Sequence, residues 1–134
     1  MKVGDTNTHS FIVSDDIVQG FAELLGDRNP VHLDEEFARG TRFGRRIAHG
    51  MIAASQISAA IGNAVPGPGT VYLNQTLQFV APVFVGDTVI TTVTVTTIKD
   101  GKPVATLETV CRNQNGEVVL KGEAVVLFPQ GTQS

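Results

Sequence analysis

The hydrophobic rhythm of the chain changes near residue 70. Before it, apolar residues fall at helical spacing. Ile17, Val18, Phe21, Leu24 and Leu25 follow a Ser14-Asp15-Asp16 start and end at Gly26, which predicts a helix capped by Ser14 with acids at its positive end. Residues 8–13, just ahead, are β-branched and aromatic and predict a short strand with His9 on its surface. Residues 50–61 carry no charge, so they predict a helix with no face suited to water, buried all round and stopped by Gly62. Beyond residue 70, Val and Thr partly alternate over 70–80, 87–98, 103–112 and 117–128. Turn signals at 82–86, at Asp100-Gly101 and at 113–116 separate these runs and predict an antiparallel meander.

With the N-terminal strand, the meander makes a sheet of about five strands. Such a sheet and an uncharged helix each have an apolar side to cover, and each can cover the other. The expected fold is therefore α+β, an antiparallel sheet wrapped around a central helix in the hot-dog arrangement. A chain of 134 residues suits one domain, 1–134. The open edge strand of the sheet is a hazard that a second copy would remove, which predicts a symmetric homodimer.

Charge narrows the classes of function. Ten basic and 13 acidic residues are interspersed, for a net charge of −3, so there is no basic stripe to hold nucleic acid or an anionic membrane. No apolar run approaches the roughly 18 residues of a membrane span, and the N-terminus lacks a signal-like run; the expected location is the cytoplasm. The single cysteine, Cys111, excludes an internal disulfide and reads as a small sheet or core residue.

The chemistry concentrates between the first helix and the uncharged one. Gly26 can end a helix in left-handed backbone, and Pro30 keeps Asn29 out of helical backbone, so residues 27–32 are expected to run irregularly. An irregular segment can aim the Asp27 carboxyl and the His32 imidazole at one point. Asp34 then reads as the cap of a short helix over 35–39, and Arg42, Arg45 and Arg46 as a basic loop, either solvated or placed to meet the phosphates of a nucleotide-bearing substrate.

The run Asp27-Arg28-Asn29-Pro30-Val31-His32, with Ala48-His49-Gly50-Met51 and Phe84-Val85-Gly86-Asp87, resembles the MaoC-like (R)-specific enoyl-CoA hydratases. The likeness covers nearly the whole chain and is nearest to the single-domain bacterial enzymes that feed polyhydroxyalkanoate synthesis. It implies reversible syn hydration of a trans-2-enoyl-CoA to an (R)-3-hydroxyacyl-CoA, with an acyl-CoA thioester as partner and neither metal nor bound cofactor. It also implies that Asp27 and His32 form the catalytic pair and that the Gly50 N–H donates to the thioester oxygen. Ser58 is the candidate for a pocket serine on the central helix.

Residue by residue, the chemistry agrees with that likeness. An imidazole near its ordinary pKa of about 6.5 can exchange a proton at neutral pH, and a carboxylate can orient the same water. Which of the two is base and which acid stays open. Gly50 starts a helix, so its N–H is a ready donor to a developing enolate, although a glycine there also serves as a flexible start. Asn29 either positions the loop or touches substrate, His49 reads as a structural hydrogen-bonding residue, and Tyr72 and Phe79 read as core or pocket wall. Two rivals share the pocket: a hot-dog acyl-CoA thioesterase, and a 3-hydroxyacyl dehydratase subunit acting on acyl carrier protein.

Overall fold

A computed structural model of the protein describes residues 1–129. β1 (Thr6–Ile12) leads into α1 (Asp15–Leu25), followed by the short helices α2 (Pro30–Leu33) and α3 (Glu35–Arg39). The central helix α4 (Gly50–Asn63) precedes β2 (Val71–Gln75), β3 (Gln78–Phe79), β4 (Thr88–Ile98), β5 (Val104–Arg112) and β6 (Val118–Leu127).

All the strand pairs are antiparallel, and the sheet order is β1-β4-β5-β6-β2, with β3 also on β6. Only β4, β5 and β6 form the expected meander. The strand expected over 70–80 lies at the far edge beside β6 instead of pairing with β4, and β1 takes the place next to β4. The reason lies at residues 81–85, which leave the sheet to run past the start of α4: Ala48 N–H donates to Val83 O at 2.6 Å, and Ile47 bridges Phe84. That strand is also broken in two at Thr76, whose N–H and hydroxyl both bond Glu123, so the sheet has six strands. Gly122 makes the break possible, because a Cβ there would collide with the Thr76 carbonyl.

The sheet wraps α4, which packs against β4, β1 and β5. Ile52, Ala53, Ile57, Ala60 and Ile61 face the sheet and join Val89, Val93, Leu107 and Val126 in the core. Cys111 bonds Thr91 at 3.4 Å, and its thiol donates to Ala53 O at 3.8 Å, stitching strand to helix. Two expectations for this helix need correcting. It runs through Gly62 to Asn63, since one glycine near the end costs a helix only about 1 kcal/mol. It is also not buried all round: Met51, Ser55 and Ser58 are exposed along one face.

The caps follow the sequence. Ser14 accepts from Ile17 N–H, Gly26 ends α1 at φ 86°, and Asp34 accepts from Phe37 N–H. His9 is half-buried, not on the surface, and bonds Gln56 of α4 at 3.0 Å. No helix among the described residues is long and apolar enough to cross a membrane.

Candidate active site

The site forms where the segment after α1 meets the first turn of α4. Irregular backbone is confined to residues 26–29: Asn29 caps α2 by accepting from Val31 N–H at 3.2 Å, and Pro30 occupies the first turn, where its missing N–H costs nothing. His32 therefore projects from a single helical turn, not from the irregular segment expected. The Asp27 carboxylate accepts from Asn29 N–H at 3.4 Å, a local turn that keeps this exposed side chain near the corner.

Chemistry fixes both imidazole tautomers. His32 Nδ1 lies 2.8 Å from the Ile47 carbonyl, which can only accept, so Nδ1 carries the proton and Nε2 the lone pair. By the same reasoning, His49 Nε2 carries a proton and donates to the Asp27 carbonyl at 2.8 Å. The two rings lie 4.0 Å apart, tilted by 33°, and Phe21 covers the His49 ring at 4.6 Å. Burial is the chief cause holding the His32 pKa below the usual imidazole value; His49 adds to the lowering, while the Ile47 bond and Asp27 oppose it.

One donor atom from each of Asp27, His32 and His49 lies within 4.8 Å of the others. A carboxylate oxygen and an imidazole nitrogen this close can share one water.

Beside His32 opens a cavity of about 320 Å³, lined chiefly by apolar groups including Ala53, Phe79, Val119 and Leu120. Gly50 lies on its wall at the first position of α4, where a backbone N–H has no intrahelical partner and the helix dipole favours negative charge. The Phe79 ring packs so tightly on this glycine that a Cβ would stand 2.7 Å from Cε1. Arg42 and Phe43 also line the cavity.

Asp27, His32 and Gly50 are thus gathered at one end of α4, with Asp27 outside the cavity wall. Asn29 serves the turn through its cap. Ser58 is not brought in: it lies a little over two turns along α4, about 12 Å from Gly50 at the helical rise, on the exposed face. Phe79 is pocket wall, whereas Tyr72 lies on β2 with its hydroxyl on Gln75. Arg46, read from sequence as part of a basic loop, instead donates to His32 O at 2.7 Å and to the Asp15 carboxylate at 2.6 Å, tying α2 to α1. No spacing signalled that role.

Comparison with known proteins gives a consistent result. The MaoC like domain matches residues 4–115. An (R)-specific enoyl-CoA hydratase of Rhodospirillum rubrum is 45% identical over 129 residues, 96% of this chain and 89% of the relative. A 3-hydroxybutyryl-CoA dehydratase of Methylorubrum extorquens is 48% identical over 130 residues, 97% of this chain and 82% of the relative. Among solved structures, an (R)-hydratase of A. caviae involved in PHA biosynthesis superposes with a TM-score of 0.93 at 45% identity, covering 96% of this chain and 98% of that one.

Proposed function

The chain belongs to the MaoC-like domain family, and from that premise we propose that it is an (R)-specific enoyl-CoA hydratase, a hydro-lyase that adds water reversibly to a trans-2-enoyl-CoA. The observation that carries the reading is the His32 tautomer. With Nδ1 bound to Ile47 O, Nε2 is left as the acceptor, and a His32 nitrogen and an Asp27 carboxylate oxygen lie within 4.8 Å of each other, close enough for one water to serve both.

In this reading the water oxygen bonds to the β carbon as one of its protons passes to His32 Nε2. Charge shifts to the thioester oxygen, where the Gly50 N–H and the start of α4 stabilise the enolate. The proton then returns from the dyad to the α carbon on the same face, giving syn addition and one enantiomer. His32 is the base on the hydration path, and Asp27 orients the water.

A homodimer belongs to the same reading. β2 is the edge strand opposite β1 and presents Val71 and Leu73, 54% and 55% exposed, with Phe79 and Val80 beside it. An apolar open edge is an aggregation site unless it is paired, and an isologous contact pairs it. The reading carries a cytoplasmic location, where acyl-CoA thioesters are made and used. By analogy with the A. caviae protein, the product is a precursor for polyhydroxyalkanoate.

Incubation with crotonyl-CoA tests the activity. Loss of the enoyl absorbance without free thiol, with (R)-3-hydroxybutyryl-CoA as product, is the expected result. Release of thiol would mean a thioesterase and end the reading.

A further inference from the structure

His49 has no part in the steps just described, yet it is among the most enclosed polar residues of the chain, 2% exposed. It stands at the cap position of α4 without capping it: its side chain makes no bond to the first turn. The imidazole instead reaches back across the fold to the carbonyl of Asp27 at 2.8 Å, with one ring face toward His32 and Phe21 nearby. Its other nitrogen, Nδ1, is buried with no hydrogen-bond partner among the described residues, which is a cost for an acceptor. A phenylalanine would fill the same place without that cost. What it could not supply is the Nε2–H donor.

That donor reaches a place that needs it. Asp27 is exposed and follows a left-handed glycine, and its carboxylate is tied only through the 3.4 Å bond from Asn29 N–H among the described residues. Nothing in that local turn sets the distance from Asp27 to His32 or to Gly50. The His49 bond does so, because it joins Asp27 to the residue immediately before Gly50.

Resting on the hydratase reading, we infer that His49 is a positioning residue: its Nε2–H tether to the Asp27 carbonyl holds the carboxylate in register with His32 and with the Gly50 donor. Its bonded nitrogen meets the Asp27 carbonyl, and it acts through that residue. Ground-state binding in the apolar cavity does not depend on the tether, so its loss lowers kcat and spares KM.

Two amide variants separate reach from packing. The Gln amide nitrogen in His49→Gln extends about as far as the imidazole Nε2 and can donate to Asp27 O, whereas the amide in His49→Asn is one methylene short; both lose the ring. His49→Asn should lose about 100-fold in kcat, as a misplacement of about 1 Å can cause, with KM within about twofold, and His49→Gln should regain most of that loss. Equal rates in both variants, whether near wild type or equally reduced, overturn the inference. In the wild-type protein, NMR should show the His49 Nε2–H as a slowly exchanging imidazole proton, and a rapidly exchanging or absent one overturns it even if a variant fails to fold. A wild-type protein inactive on crotonyl-CoA removes the hydratase reading itself, whereas an active one with an unaffected His49→Asn removes only the tether.

Discussion

The His32 ring donates through Nδ1 to the Ile47 carbonyl at 2.8 Å, and this bond decides which imidazole nitrogen can act on water. Because the acceptor is backbone, the tautomer is set by the path of the chain between α3 and α4. Replacing the ring with an amide keeps the bulk but removes the basic nitrogen. His32→Gln and Asp27→Asn should each lower kcat by about 100- to 10,000-fold while the fold persists, the range typical for loss of a general acid or base. Crotonyl-CoA turnover and circular dichroism check this, and substantial activity in either variant would contradict the proposed pair.

Burial holds His32 below its ordinary pKa, so the base form survives to lower pH than in a free imidazole. kcat/KM should therefore hold its plateau down to about pH 6.5 and fall only below it. Stability moves in the same direction. Just below about pH 6.5 the unfolded chain takes up the proton and the folded one does not, so acidification through that interval favours unfolding. Urea midpoints measured on either side of that pH should differ for the wild type, and His32→Gln should reduce the difference.

At Gly50 the methyl group of an alanine would press on the Phe79 ring. That ring is 53% exposed and can swing away, so Gly50→Ala should fold with little change in melting temperature. The methyl group and the displaced ring would then occupy the approach to the Gly50 N–H. kcat/KM should drop toward the roughly 100-fold that a misplacement of about 1 Å can cause. Steady-state kinetics beside a thermal melt checks both halves.

Gly122→Ala is the opposite case, because its obstacle is the Thr76 backbone, not a mobile side chain. The contact between the β2–β3 break and β6 must open. The variant should lose about 1–3 kcal/mol of stability, the usual cost of overpacking, in a chemical denaturation curve.

A charge placed on the open edge tests the assembly. Leu73→Lys puts an ammonium where an isologous partner would pack, and sedimentation should find one chain per particle where the wild type has two. A wild type that sediments as a single chain would remove the dimer from the proposal.

Much of this fold was written in local signals. Ser14, Gly26 and Asp34 marked helix ends through cap chemistry that depends on a few neighbouring residues. The absence of charge over 50–61 identified the helix that the sheet encloses. Strand order was not legible, because alternation of Val and Thr says which segments are strands and nothing about which edges meet. The contact between the 81–85 segment and Ala48 decided that, and it joins parts of the chain with no shared pattern. At the site, the motif named Asp27, His32 and Gly50, whereas the Ile47 carbonyl, the Arg46 clamp and the His49 bond depend on tertiary approach. Ser58, named by resemblance alone, lies on the exposed face of α4 and is not among the residues that line the cavity.

Cys111 is fully enclosed between β5 and α4, and burial pushes its thiol pKa up, so it offers almost no thiolate to a reagent. Alkylating agents should leave the native protein untouched. A fluorophore can therefore be attached at a cysteine introduced on the cavity rim without first deleting the natural one.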